Sequence, residues 1–499
     1  MTLDLFGEPL SFLAGFFLLL ALALALSFEF VNGFHDTANA VATVIYTNTL
    51  KPTIAVIWAG CWNLAGVLWS SGAVAYSIVA LLPVELVLHS GTGAGFAMIF
   101  SLLISAILWN VGTWYLGLPA SSSHTLIGSI MGVGVANSIM AGHGWMAGIN
   151  WPKAQEIFTY LIISPIFGFV GAALLLLLLK LLVRRKDLYE APKKDTPPPL
   201  WIRGLLVLTC TLVSFFHGSN DGQKGMGLIM LILVGIVPGA FALNMTTQPA
   251  KVTATIAELR QVETSLQAQT GSTTVTQDEA VATLTEFIKP TGGKPTEKTY
   301  AAVVQQAGYV ADSLAKVTSF GELVRDDRTK LRTDIYLVDE SLTKLLKKHW
   351  ITADADSIAQ LKATDKNLDD ITKYIPLWVK VAVALALGCG TMIGWKRIVV
   401  TVGEKIGKAH LTYAQGASAE IIAASTIGIA DYMGYPVSTT HVLSSGIAGT
   451  MAANRSGLQK DTLISILLAW VLTLPVCVLL GATLFSAALY VSLHIFGVQ

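Results

Sequence analysis

The stretch Leu118-Pro119-Ala120-Ser121-Ser122-Ser123-His124-Thr125-Leu126 returns later as Tyr435-Pro436-Val437-Ser438-Thr439-Thr440-His441-Val442-Leu443. A second motif is also doubled. Gly33-Phe34-His35-Asp36-Thr37-Ala38-Asn39 is matched by Gly218-Ser219-Asn220-Asp221-Gly222-Gln223-Lys224. The first pair is offset by 317 residues and the second by 185. The offsets differ by 132, close to the length of the polar stretch 246–373 that lies between the later copies. The second half therefore reads as the first half with a domain inserted after its first motif helix.

Around these motifs the chain is apolar. Of 499 residues, 53% are hydrophobic and 13% charged, where a soluble protein carries about 25% charged residues. The blocks Phe12–Phe28, Ile54–Leu82, Phe96–Leu118, Ile157–Leu179, Gly204–Val237 and Trp378–Trp395 approach or exceed the roughly 20 residues that cross a bilayer. Further blocks run through Ala414–Ala430, Val437–Ala453 and Leu463–Leu493. The first block follows Asp4 and Glu8 rather than a basic segment, so it reads as a retained helix and not a cleaved leader. The expected class is an all-α polytopic membrane protein of two inverted repeats with broken helices or helical hairpins, plus a mostly helical soluble insert. Its expected parts are a first membrane repeat (1–183), a basic linker (184–200), the first helix of the second repeat (201–245), the insert (246–373) and the rest of the second repeat (374–499).

Net charge is +1, which points to no acidic partner and no nucleic acid. Cys61, Cys210, Cys389 and Cys477 lie in apolar blocks without CxxC spacing, so neither a disulfide framework nor a zinc site is expected. Lys and Arg cluster at Lys51, in 184–199, in Lys396–Lys408 and in Arg455–Lys460, whereas the turns near 83–95 and 141–150 have none. Ten crossings put every basic turn on one side, the cytoplasmic one by the positive-inside rule. Both termini and the insert then face outward, and five crossings per half make the halves inverted copies.

Inverted repeats with discontinuous helices hold their substrate near the midplane. Gly33, Gly218 and Gly222 are expected to permit sharp turns, and Pro119 and Pro436 to open half-helices. Ser121, Ser122 and Ser123, with Ser438, Thr439 and Thr440, then sit at half-helix N-termini, where free N–H groups and hydroxyls suit an anion. Two such ends facing each other fit a tetrahedral oxyanion. Asp36 and Asp221 are costly inside a membrane and read as functional. They bind a coupling cation, bind a proton, or accept from a protonated oxyanion. Lys224 beside Asp221 reads as a substrate contact or a charge partner. His124 and His441 read equally as proton carriers or as buried residues orienting the hairpin. Glu420 reads as functional, with a helix–helix hydrogen bond as the alternative. Its aligned position in the first half is Leu103. Asn63 and Asn110 are weaker candidates, while Glu29 and Asp431 read as structural or as gates.

These residues resemble the Pit family of inorganic phosphate transporters. The paired motifs Asn32–Asn39 and His217–Lys224 and the paired Pro-x-Ser-[Ser/Thr]-[Ser/Thr]-His runs look like that family's duplicated signature. The resemblance covers roughly 30–245 and 374–490 and leaves out the insert. Leu118–Ile127 and Thr391–Lys408 look like the bacterial low-affinity branch. The resemblance implies proton-coupled uptake of inorganic phosphate as a neutral divalent-metal phosphate complex, with magnesium as one such metal, across the bacterial inner membrane. Family members typically carry Asn where this chain has His35 and Lys224. A fixed ammonium at Lys224 and a titrating imidazole at His35 favour protons over sodium. The expected substrate contacts are Asn39, Asn220, Lys224, Asp36, Asp221 and the six hairpin hydroxyls. The expected ion-coupling set is His35, Asp36, Asp221, Glu420, His124 and His441. No resident cofactor or metal is expected, and a homodimer is compatible with the reading.

Sodium-coupled uptake and sulfate transport on the same fold are the near alternatives. An intramembrane enzyme is the distant one. Doubled, adjacent Ser and His residues do not supply the single nucleophile and single base that such chemistry needs. A passive anion channel would have no use for paired acids beside the anion site.

Overall fold

Where no water reaches the backbone, long apolar runs can satisfy their N–H and C=O groups only as helices. The computed structural model, which describes residues 2–36, 38–81, 93–193, 196–289, 292–317 and 319–494, is dominated by them. It divides into two compact units, Met1–Leu18 with Leu233–Ile375, and Leu19–Ile232 with Pro376–Gln499.

The chain opens on an antiparallel hairpin, β1 (Thr2–Leu5) and β2 (Glu8–Ser11), with Leu3 opposite Leu10. The first half then forms α1 (Phe12–Asp36), α2 (Ala38–Tyr46), α3 (Pro52–Trp69), α4 (Ala73–Val79), α5 (Gly93–Tyr115), α6 (Ser122–Met140) and α7 (Trp151–Leu182). The second begins with α8 (Leu200–Ile236) and the short α9 (Pro238–Phe241). Five helices of the insert follow: α10 (Pro249–Gln267), α11 (Gln277–Ile288), α12 (Glu297–Leu314), α13 (Arg325–Lys347) and α14 (Ala355–Thr372). The chain closes with α15 (Leu377–Met392), α16 (Lys396–Glu404), α17 (Tyr413–Tyr432), α18 (Thr439–Ala453) and α19 (Lys460–His494).

Among the described residues, six helices are long and apolar enough to cross a membrane: Phe12–Tyr46, Pro52–Trp69, Gly93–Tyr115, Trp151–Leu182, Leu200–Ile236 and Lys460–Val491. The helices that fall short, such as α18, are buried along nearly their whole length. They face protein rather than lipid, so their sequence can be Gly-, Ser- and Thr-rich. On α7, by contrast, Ile162, Phe167 and Leu174 project outward, as a lipid-facing stripe does.

In this unit α6 packs along α19, α18 along α7, and α3 along α15. The motif glycines make close approach possible. A Cβ at Gly218 on α8 would overlap the carbonyl of Asn63 on α3, and one at Gly66 on α3 would overlap that of Phe215. Gly33 meets Leu387 O in the same way. The sharp turns expected at Gly33, Gly218 and Gly222 are absent, because α1 runs through the first and α8 through the other two. Small residues here serve helix–helix contact, as in membrane seams generally.

The hairpin motifs share one local geometry. Gly117 (φ 69°) and Gly434 (φ 75°) end the preceding helices in the left-handed region that glycine adopts without strain. Leu118 N donates to Thr113 O at 2.9 Å, and Tyr435 N to Ala430 O at 2.8 Å. Ser121 and Ser438 are the N-caps, each accepting from the amide three residues on (His124 and His441) at 3.2 Å. Pro119 and Pro436 therefore lie two residues before the cap, rather than at the first helical position.

The other unit has its own core, built from Leu259, Val262, Leu284, Val310, Ile335, Val338 and Leu368 among others. A capping box of Thr276 and Glu279 starts α11. The unit extends beyond 246–373, because Phe6 of the N-terminal hairpin packs edge-on against Phe241 at 5.2 Å. Lys373 is ringed by Asp339 (2.8 Å), Glu340 (3.2 Å) and Asp369 (2.5 Å).

Candidate functional site

Asp36 ends α1, Asp221 lies mid-way along α8, and Ser122 opens α6. The fold brings all three together, fully buried. The Ser122 hydroxyl donates to Asp36 Oδ2 at 2.9 Å and stands 3.4 Å from Asp221 Oδ2. Thr440, from the other hairpin, donates to Asp36 Oδ1 at 2.5 Å. Both hairpins thus reach the same carboxylate.

The positive partners are distributed unevenly. Lys224, one turn beyond Asp221 on α8, places Nζ 2.7 Å from Asp221 Oδ1 and 3.5 Å from Ser122 Oγ. A buried ammonium is tolerable only when paired in this way. His35 Nδ1 lies 3.1 Å from Asp36 Oδ1, and its Nε2 3.0 Å from Thr113 Oγ1.

His217 was not singled out in the sequence as a site residue. Its Nε2 stands 3.4 Å from Asp221 Oδ2 and 3.9 Å from Asp36 Oδ2. Its Nδ1 is 2.9 Å from Asn63 Oδ1, and Asn63 donates in turn to Thr391 Oγ1 at 2.9 Å. The signal was present, since His217 precedes Asp221 by four residues and so shares its helix face. Asp36, His217 and Asp221 offer ligand atoms that all lie within 4.8 Å of one another, a donor set of two carboxylates and an imidazole that suits a divalent cation.

Other expected residues lie apart from this cluster. The Ser121 and Ser438 side chains are occupied as caps, and Ser123 donates to Val437 O at 2.6 Å. Thr439 is buried beside Thr440. Asn220 holds the second hairpin by its backbone, donating to Tyr435 O at 3.0 Å and accepting from Val437 N at 3.4 Å. The rings of His124 and His441 face each other at 4.8 Å, and His441 stacks on Trp470 at 4.0 Å. Asn39 lies outside the described side chains.

Glu420 is buried on α17 and accepts from Thr43 of α2 and Thr209 of α8. Thr209 precedes Asp221 by twelve residues on one continuous helix, which is about 18 Å along its axis. Glu420 therefore belongs to a different level of the molecule from the paired aspartates. Asp431, at the end of α17, accepts from Ser219 Oγ and Gln223 Nε2, both at 2.6 Å. Glu29 lies against Gly225 and accepts from Asn32 at 3.4 Å.

Residues 32–481 match the phosphate transporter family. The chain is 44% identical to the low-affinity inorganic phosphate transporter PitA of Escherichia coli (strain K12), covering 95% of this chain and 97% of the relative. It is 42% identical to PitB of the same strain, with 95% and 97% covered. Against the probable low-affinity inorganic phosphate transporter of Bacillus subtilis (strain 168) identity is 29%, with 92% and 93% covered. A solved structure described as the sodium-dependent phosphate transporter superposes with a TM-score of 0.53 at 19% identity, covering 95% of this chain and 98% of that one. The two share a fold.

Proposed function

The chain belongs to the phosphate transporter family, and on that premise we propose that it imports inorganic phosphate by proton symport through alternating access. The phosphate travels as a neutral complex with a divalent metal. The observation that carries this reading is the junction of Ser122, Thr440, Asp36, Asp221 and Lys224. Two hairpin ends supply hydroxyls and helix N-termini for phosphate oxygens. Lys224 supplies a fixed positive charge where a sodium-coupled carrier would need a mobile one, and this favours protons as the coupling ion. Asp36, His217 and Asp221 supply oxygen and nitrogen donors for the metal cargo.

In the arrangement described, the polar groups satisfy one another: Thr440 and Ser122 donate to Asp36, and Lys224 pairs with Asp221. Substrate oxygens replace these partners on binding, so the hydroxyls and the ammonium pass from the carboxylates to the cargo. The doubled hairpin geometry supports two repeats that rock against each other, inverted across the bilayer with their basic turns on the cytoplasmic side. His35 sits on Asp36 and is the second group, after the aspartates, through which protons couple.

The test is uptake of radiolabelled phosphate into proteoliposomes, with proton, sodium and magnesium gradients imposed separately. An inward proton gradient drives accumulation, magnesium supports it, and Asp221→Asn abolishes it. Accumulation that follows sodium and ignores protons would overturn the coupling. Equal competition by sulfate would overturn the substrate assignment.

A further inference from the structure

A cavity of about 640 Å³ opens beside the first hairpin, outside the cluster at Asp36 and Asp221. It is lined by Trp114, Tyr115, Trp395, Lys396, Arg397 and Lys405, together with glycine, aliphatic and hydroxyl residues, and by no carboxylate. Arg397 is held in place by aromatic rings rather than by an acid. Its guanidinium lies 5.3 Å from the Trp114 ring centroid and 4.9 Å from that of Tyr115, and Nη1 donates to Tyr115 O at 2.9 Å. Among the described residues, none of Lys396, Arg397 and Lys405 forms an ion pair. The neighbouring acid, Glu404, is exposed and does not line the cavity.

Three cations converging on one cavity repel one another unless an anion joins them. A pre-oriented guanidinium fork matches the oxygens of a phosphate group, and two ammonium groups add charge without demanding fixed geometry. The cavity is also tied to the transport site. Trp114 packs edge-on against Phe34 at 5.0 Å and donates from Nε1 to Gly394 O at 2.7 Å. Phe34 immediately precedes His35, which sits on Asp36. One aromatic layer thus separates this cavity from the buried cluster. At the matched place in the second half the contact is polar, Ser219 against Asp431, so the aromatic layer is a feature of the first half, while the cations of the cavity come from 396–405 in the second.

We infer that this cavity is a second phosphate-group site, a vestibule in which Arg397, Lys396 and Lys405 hold the oxyanion next to the Phe34–Trp114 layer. The assignment of a free phosphate ion rests on the proposed transport function, whereas the binding of a phosphate group does not. Both sources share the chemistry: inorganic phosphate, or the headgroup of an anionic lipid.

Equilibrium binding of radiolabelled inorganic phosphate to the full chain in phosphatidylcholine nanodiscs tests it. Wild type shows two components. Arg397→Gln with Lys405→Gln removes the more salt-sensitive one, weakening it roughly tenfold or more, while Arg397→Lys retains part of it. Arg397 and Lys405 are both exposed, so these variants fold. Ser122→Ala removes the other component and leaves this one. If Ser122→Ala changes nothing, the buried phosphate site fails and the vestibule stands. If Arg397→Gln with Lys405→Gln binds as wild type does, the vestibule is refuted. Replacing part of the lipid with phosphatidylglycerol separates the sources. Displacement of the salt-sensitive component assigns the site to lipid headgroups, and its persistence assigns the site to free phosphate.

Discussion

Replacing Lys224 by Met removes one half of a buried ion pair, and the structure sets the size of the effect. The ammonium and the Asp221 carboxylate are 2.7 Å apart and both fully buried. Coulomb's law at an effective dielectric of ~20 makes that contact worth about 6 kcal/mol. Desolvating the two ions costs several kcal/mol each, so the pair as a whole contributes little net stability. Removing the lysine alone is different. Asp221 is left with Ser122 and His217, each at 3.4 Å, and the uncompensated carboxylate costs about 3–5 kcal/mol. Removing both charges, in Lys224→Met with Asp221→Asn, restores most of the loss. Unfolding of purified protein in mixed micelles, read as a double-mutant cycle, measures this. Phosphate uptake is lost in all three variants, so stability and function separate cleanly. The reasoning is refuted if Lys224→Met unfolds within about 0.5 kcal/mol of wild type, or if the double variant is as unstable as the two single losses added together.

Three further outcomes follow from other parts of the molecule. Gly66→Ala forces a methyl into Phe215 O and to 2.8 Å from Ser219 N, costing about 1–3 kcal/mol. Gly112→Ala, with open space around it, is neutral or stabilising in the same thermal melt. Thr43→Val with Thr209→Val strips Glu420 of both hydroxyl donors. It lowers stability by roughly 1–3 kcal/mol per lost donor, and Glu420→Leu in that background recovers stability in the same measurement but not uptake. In the insert, burial pushes the Asp365 carboxyl up to about 6, with Asp369 adding to the rise and the Thr343 hydrogen bond and Lys373 opposing it. A folded-state value above the ordinary 3.8 means the folded unit binds this proton more tightly than the unfolded chain. That stability is full below about pH 4 and is lost as pH rises through about 6, on the order of 3 kcal/mol. Fluorine NMR of labelled Trp350, the single tryptophan within 233–375, follows the unit in the intact chain. Asp365→Asn flattens the dependence.

The sequence by itself determined the helical membrane class, the doubled motifs and the polar insert, because bilayer spans and repeats are written in composition and spacing. It also singled out Asp36, Asp221, Lys224 and Ser122, which the fold brings together, since intramembrane charges and hydroxyls at half-helix starts are rare enough to stand out. It misplaced the motif glycines, because a glycine that permits a turn and one that permits two backbones to touch look alike in one dimension. Only the tertiary structure decided which hydroxyls face the acids and which are used up as caps. Ser121 and Ser122 are neighbours of one residue type, yet the helix start turns one toward its own backbone and the other toward Asp36 and Asp221. The structure likewise placed Glu420 at another level, brought His217 between the two aspartates, and set Arg397 over Trp114. Those relations join residues far apart in the chain, and they depend on how closely α3, α8 and the two hairpins pack, which no single segment encodes.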